Sequence, residues 1–119
     1  MRDVLKVFKS LSDETRLRIL NLLLERECCV CEVMQALEIS QTRASRNLAV
    51  LYDAGLLSLR RDGCWVLYSV DDKALQSYAF DVLSAVSKAL KGNSKAELDK
   101  ARLGKACRTG LRCDIAKAS

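Results

Sequence analysis

The sequence contains no histidine and no proline, and only 5% of its 119 residues are aromatic. Without imidazole groups the chain can form neither a Ser-His-Asp triad nor a Cys-His dyad, and it can bind no zinc through histidine. It has no run of about twenty apolar residues, the length that a transmembrane helix needs. The charged N-terminus lacks the apolar segment of a signal peptide. We therefore expect a cytoplasmic protein that does not contact membranes and is not an enzyme.

The chain contains six cysteines, and its charge is unevenly distributed. Residues 1–90 carry 12 basic and 12 acidic side chains, whereas residues 91–119 carry 8 basic and 3 acidic ones, so the net charge of +5 belongs to the C-terminal segment. We expect one domain over residues 1–91 and a basic, cysteine-containing extension over residues 92–119. In a reducing compartment, cysteines at this density are typical of soft-metal or redox chemistry.

Before residue 56 the apolar residues recur at helical spacing. The predicted helices are a short one marked by Leu5, Phe8 and Leu11; one over 13–27, capped by Ser12, with Leu17, Leu20, Leu23 and Leu24 inward; a short one marked by Val30, Val33, Met34 and Leu37; and one from Gln41, capped by Ser40, ending at Gly55.

After residue 56 the pattern changes to the alternation typical of strands. The predicted elements are a strand over 57–61, a two-residue turn at Asp62-Gly63, a strand over 64–70, a long helix over 73–90 capped by Asp71-Asp72, and a short helix over 95–102. Two short helices joined by a three-residue turn and followed by a basic hairpin indicate a winged helix-turn-helix, a mainly α fold with a small β-hairpin.

The second helix of this motif has a polar face suited to the major groove of DNA, since arginine pairs with guanine and glutamine or asparagine with adenine. The hairpin arginines suit phosphate or minor-groove contacts. The residues that we predict to contact double-stranded DNA are Ser40, Gln41, Thr42, Arg43, Ser45, Arg46 and Asn47 on the helix, and Arg60 and Arg61 on the hairpin.

Four blocks of the sequence resemble the ArsR/SmtB family of metalloregulatory repressors, specifically its arsenite-responsive type. The blocks are residues 8–20, 27–33, 40–48 and 62–68, in family order. The resemblance implies a homodimer, paired through its first and last helices, that represses an operon until an inducer binds. It also shows two departures, because Thr42 and Asn47 stand where the family commonly has proline and histidine.

The Cys29-Val30-Cys31 element matches the thiol sensor of this family, whereas the family's histidine-containing zinc or nickel site has no counterpart here. The resemblance implies trivalent arsenic or antimony as inducer and no organic cofactor. Trivalent arsenic prefers three thiolates, but Met34 occupies the place of the familiar third cysteine. Cys28 is the first candidate for the third thiol, Cys107 and Cys113 are the second, and Cys64 is the third.

Helical geometry predicts that Cys29 and Cys31 point about 200° apart and that Cys28 and Cys31 share a face. A ligand held by all three thiols would then have to unwind the start of the helix, which would release DNA. Three alternatives stay open: a cadmium or lead sensor, a thiol-redox sensor, and a metallochaperone or arsenical-processing protein without specific DNA binding. The family's cadmium and lead sensors have N-terminal cysteines, and no cysteine precedes Cys28 here.

Overall fold

The computed structural model describes residues 1–70 and 77–108. The predicted cap Asp71-Asp72, the first residues of the predicted long helix, and Cys113 lie outside these ranges. The elements are α1 Arg2–Ser10, α2 Glu14–Glu25, α3 Val30–Leu37, α4 Gln41–Asp53, β1 Ser58–Asp62, β2 Trp65–Ser69, α5 Ser77–Leu90 and α6 Ser94–Lys105. The two strands form an antiparallel hairpin. This order confirms the winged helix-turn-helix.

The core is centred on α2, α3 and α4, and α1, α5 and α6 each add buried side chains. It is formed mainly by aliphatic side chains at the helical spacing seen in the sequence, and burying each such side chain stabilises the fold by about 1.5–3 kcal/mol. The fully buried residues include Ile19, Leu20, Leu22, Val33, Leu48 and Leu51. Leu24, predicted to face inward, is instead exposed at the end of its helix. No helix within the described ranges is long and apolar enough to cross a membrane.

The cap of α2 lies one residue later than predicted. The Asp13 carboxylate accepts the backbone N–H of Arg16 at 3.0 Å, as an N-cap residue does. Ser12 Oγ instead donates to the carbonyl oxygen of Phe8 at 3.0 Å and so satisfies the end of α1. The preceding helix therefore uses the hydroxyl, and the carboxylate also gains from the helix dipole.

Spacing of Leu5, Phe8 and Leu11 predicts a short first helix, and α1 confirms it. Leu5 and Phe8 are 49% and 51% exposed, whereas Val7 and Ser10 are the buried residues. The Ser10 hydroxyl is satisfied within the helix by donating to the Val7 carbonyl at 2.6 Å. Spacing identified an apolar face correctly, but that face does not pack on the body of its own chain.

The hairpin turn also differs by one residue from the prediction. Asp62 pairs with Trp65, so the two turn residues are Gly63 and Cys64. Gly63 has a φ of 63°, which suits the first central position of a type II′ turn. Asp62 is thus the last residue of β1 and not part of the turn.

Helix α6 is longer than the predicted one over 95–102 and packs against α2 and α3. Its buried Asp99 is 0% exposed and accepts two hydrogen bonds at 2.8 Å from the guanidinium of Arg18 on α2. Three more ion pairs flank this one: Lys95–Glu14, Lys100–Glu25 and Arg102–Glu38. The basic side chains of α6 are therefore largely paired with acidic residues of the preceding helices.

Candidate nucleic-acid interface and thiol site

Helix α4 presents a polar surface at its N-terminal half. Ser40 caps the helix, its Oγ accepting the Arg43 backbone N–H at 3.1 Å. The exposed residues of this surface are Ser40, Gln41, Thr42, Arg43 and Arg46, and Ser45 is half-buried. Ala44, Leu48 and Leu51 fix the opposite side of the helix in the core. Because these apolar residues hold the helix, the polar surface is presented rigidly.

Asn47 is predicted to lie on the outward face of α4, but the structure buries it. It is only 9% exposed. Its amide donates to the Arg43 carbonyl at 2.9 Å and its Oδ1 accepts from Arg16 at 3.2 Å. Arg16 also donates to the Ser10 carbonyl at 2.6 Å. Asn47 therefore anchors α4 to the junction of α1 and α2, and sequence reasoning missed Arg16 as its partner.

The two hairpin arginines have different environments, although both are exposed. Arg60 forms a bidentate ion pair with Glu27, with Nε at 2.9 Å from one carboxylate oxygen. The Arg60 guanidinium keeps the pKa of Glu27 below its ordinary value, mainly through this hydrogen bond. Arg61 neighbours it on β1. The segment before α3 is thus connected to the hairpin.

The structure brings Cys29 and Cys31 together, so the prediction that they point to opposite sides is wrong. Cys29 is the N-cap of α3, with φ −85° and ψ 168°, and lies outside the helix. The helical angle therefore does not apply to it. The two residues are joined by a disulfide with their Cα atoms 5.4 Å apart. In the reduced state, the same backbone offers two adjacent thiols.

Cys28 is separated from this pair, which corrects the predicted shared face with Cys31. Its backbone forms an isolated bridge with Tyr68 of β2, with N–H···O distances of 3.0 and 2.8 Å. Its side chain is 0% exposed and belongs to the core. Burial raises the pKa of the Cys28 thiol to about 12. Within the described ranges, no three cysteine, aspartate or glutamate residues are preassembled to hold a metal ion.

We expect Cys28 to resist alkylation in the native protein. A thiol with a pKa of about 12 has almost no thiolate at pH 8, and the side chain is shielded from solvent. Iodoacetamide added to the reduced protein at pH 8 should modify the exposed Cys107 within minutes and leave Cys28 unmodified, as read by peptide mass spectrometry. Unfolding in urea should expose Cys28, and rapid modification without urea would contradict its burial.

Glu32 organises the N-terminus of α3 around the thiol pair. It is buried, yet its carboxylate accepts the Cys29 backbone N–H at 3.1 Å, Arg26 Nη1 at 2.7 Å and Arg108 Nε at 3.0 Å. Burial alone would raise the pKa of Glu32, but these three donors lower it below its ordinary value. The Cys29-x-x-Glu32 spacing resembles a capping box, which was the available sequence signal for this residue.

Cys107 follows α6 and is exposed. Its backbone lies beside α3, where its N–H donates to Gln35 Oε1 at 3.0 Å. The structure thus brings Cys107 near the helix that carries Cys31. Cys64, at the hairpin tip, is also exposed.

The model of the family described as bacterial regulatory protein, arsR family, matches residues 13–58, which run from the cap of α2 to the start of β1. The arsenic resistance transcriptional regulator ArsR2 of Pseudomonas putida is 46% identical over 84 residues, covering 70% of this chain and 72% of that protein. The chain belongs to the arsR family.

Two further proteins extend the comparison of this arsR-family chain. ArsR1 of Pseudomonas putida, also named an arsenic resistance transcriptional regulator, is 48% identical over 64% of the chain, and the match spans 62% of that relative's length. The homodimeric winged helix-turn-helix DNA-binding domain of Mb0332 from Mycobacterium bovis has a TM-score of 0.65 at 28% identity, covering 78% of this chain and 82% of that one.

Proposed function

We propose that this protein is a transcriptional repressor that leaves its operator when trivalent arsenic or antimony binds cysteine thiolates. The observation that carries the proposal is that Cys29 and Cys31 are adjacent at the N-terminus of α3. Because α3 packs directly against α4, a ligand bound there would act on the DNA-binding helix. The names of the two Pseudomonas relatives support arsenic as the signal. The repressor would act in the cytoplasm, without enzymatic activity and without an organic cofactor.

Operator DNA would bind the polar surface of α4 in its major groove. Gln41, Thr42, Arg43 and Arg46 would meet bases or phosphates there, with Ser40 and Ser45 at the edge of the contact. Asn47 would act by holding the helix in place. Arg61 would contact the DNA backbone from the hairpin, and Arg60 could do so only in competition with Glu27, its partner in the free protein.

A homodimer would cover the apolar side chains that the single chain leaves exposed. Leu5 and Phe8 on α1 and Phe80 on α5 are each close to half exposed, which is costly in water for large apolar groups. The Mycobacterium bovis neighbour is described as homodimeric. Two recognition helices related by a two-fold axis would then read a pseudo-palindromic operator.

Two connections would carry the signal from the thiols to the DNA-binding elements. Cys29 is the cap of α3, and movement of this cap would shift α3 against α4. The neighbouring Cys28 pairs with Tyr68 of β2, and Glu27 pairs with Arg60 of β1. Arsenic binding that changes the orientation of Cys29 would therefore strain both the helix-turn-helix and the hairpin. The loss of DNA affinity would be limited by the difference in arsenic affinity between the DNA-bound and the DNA-free conformation.

The proposal is tested by fluorescence anisotropy on DNA from upstream of the protein's own gene. The protein is reduced with a phosphine, because dithiol reductants would chelate arsenic. Micromolar arsenite should release the labelled DNA, and zinc at the same concentration should not. DNA binding that ignores arsenite and antimonite would reject the inducer, and absence of any sequence-specific binding would favour a metallochaperone or arsenical-processing role.

Replacing Arg46 by alanine should weaken operator binding by about 1–3 kcal/mol, since its exposed side chain belongs to the polar surface. The oligomeric state and thermal stability should not change, because Arg46 lies outside the core. Lys91→Ala, which removes the same charge from an exposed turn, is the matched control and should bind as the wild type does. Equal operator affinity for Arg46→Ala and the wild type would mean that α4 does not read DNA.

A thiol-redox sensor is the second candidate, and the Cys29–Cys31 disulfide is the observation that favours it. Under this alternative the oxidised protein, not the arsenic-bound one, would lose operator affinity. Anisotropy titrations with hydrogen peroxide and with arsenite, run in parallel, separate the two. Release by peroxide alone would establish the alternative.

A further inference from the structure

The side-chain amide of Gln35 on α3 forms hydrogen bonds with the chain segment that follows α6. Gln35 Oε1 accepts the Cys107 backbone N–H at 3.0 Å, and Gln35 Nε2 donates to the Cys107 carbonyl at 2.6 Å. The same Nε2 donates to the carbonyl of Cys31 at 3.0 Å. Because one amide nitrogen serves both carbonyls, the backbones of Cys31 and Cys107 lie side by side.

A second connection involves the residue after Cys107. The Arg108 guanidinium donates to Glu32 Oε1 at 3.0 Å, and this same oxygen accepts the Cys29 backbone N–H at 3.1 Å. Arg108 also approaches Asp62 of β1 at 3.8 Å. Gln35 therefore ties the Cys107 backbone to Cys31, and Glu32 ties the next residue to Cys29. These contacts join residues more than 70 positions apart in the sequence.

The packing of α6 against α2 and α3 fixes the start of this segment. The helix's buried Asp99 is paired with Arg18, and Leu103 is buried in its last turn. Arg26 adds a hydrogen bond to the Leu103 carbonyl at 3.2 Å. The short stretch from Leu103 to Cys107 thus starts from a fixed point, which limits how far the Cys107 thiol can move from α3.

We propose that Cys107 is the third thiolate of the arsenic site, completing the pair formed by Cys29 and Cys31. This inference rests on the proposed function and names the ligand that the sequence left open. Cys28 is unsuited because its thiol is enclosed in the core and its backbone is paired with β2. Met34 offers only a thioether and packs against the core. Cys107 is exposed, and rotation of its side chain needs no change in the core.

The binding step is a ligand exchange without electron transfer. Three As–O bonds of arsenous acid break and three As–S bonds form to Cys29, Cys31 and Cys107. Each thiol proton leaves with one hydroxyl group, so three molecules of water are released. Cys29 and Cys31 must be in the dithiol state, which the phosphine reductant provides in the test below.

The test compares two probes on the full chain and on Cys107→Ser. Arsenite can accept three thiolates, whereas phenylarsine oxide accepts two because its phenyl group occupies the third position. The wild type should show three sulfur neighbours around arsenic by X-ray absorption. Cys107→Ser should show two and should bind arsenite about 100-fold more weakly, the scale of losing a tethered ligand, while its affinity for phenylarsine oxide should stay unchanged.

Two matched variants sharpen the result. Cys113→Ser and Cys64→Ser should each keep three sulfur neighbours and wild-type arsenite affinity. Three sulfur neighbours in Cys107→Ser, or loss of one in either control, would overturn the assignment of Cys107. If the wild type binds neither probe, the proposed arsenic response fails as well. If the wild type binds phenylarsine oxide but shows only two sulfur neighbours with arsenite, the Cys29–Cys31 dithiol sensor is supported and a third thiolate ligand is rejected.

Discussion

Cys31→Ser should bind the operator with wild-type affinity and should not leave it at the arsenite concentrations that release the wild type. Cys31 lies in the first turn of α3, away from the polar surface of α4, so DNA contacts are preserved. The serine hydroxyl is a poor ligand for a soft ion. Removing one member of the thiol pair also removes the chelation on which binding by the rest depends, and we expect the arsenite concentration for half-release to rise about 100-fold or more.

The measurement is the anisotropy titration described above, run on the variant and on Cys64→Ser as the matched control. Cys64 lies in the hairpin turn, so its replacement makes the same chemical change outside α3. The control should be released at wild-type arsenite concentrations. Wild-type release of Cys31→Ser would remove this residue from the site and, with it, the basis of the proposed sensor.

Asp99→Ala should be the most destabilising substitution outside the hydrophobic core. The carboxylate is completely buried and receives two hydrogen bonds from Arg18. Its removal leaves a largely buried guanidinium without its partner, and breaking such a pair costs about 3–5 kcal/mol. Because the pair joins α6 to α2, the effect should include local release of α6.

Urea denaturation followed by circular dichroism measures this loss. Glu97→Ala is the matched control, since it removes an exposed carboxylate from the same helix and should change the free energy of unfolding by no more than about 0.5 kcal/mol. A loss below about 1 kcal/mol for Asp99→Ala would mean that the ion pair behaves like a solvated surface pair. If α6 holds Cys107 in place, Asp99→Ala should also weaken arsenite binding while retaining phenylarsine oxide binding.

The local elements could be predicted well from the sequence. Helices α3 and α4 have the predicted positions because their apolar spacing, the Ser40 cap and the terminal Gly55 all act within a few residues. Alternation predicts the hairpin, but its turn lies one residue later than predicted, because Asp62-Gly63 and Gly63-Cys64 are both acceptable turn pairs. Only the cross-strand pairing of Asp62 with Trp65 distinguishes them.

The arrangement of the cysteines could not be predicted in the same way. The angle between Cys29 and Cys31 was derived for an ideal helix, but the helix begins only after Cys29. Polarity predicts Asn47 on the outward face of α4, whereas its hydrogen bond with Arg16 holds it inward. The extended backbone of Cys29 decides the first case, and the hydrogen bond from Arg16 to Asn47 decides the second. Residue spacing encodes neither.

The sequence by itself determined the order of elements, the winged helix-turn-helix and the pair of cysteines at the start of α3, since each depends on short-range periodicity, capping or spacing. The tertiary structure alone decided which thiols are near one another. Cys28 is withdrawn by pairing with Tyr68, 40 positions away, and Cys107 is brought to α3 by Gln35, a contact across 72 positions. Such contacts form only when the packed helices repay the entropy of closing long loops.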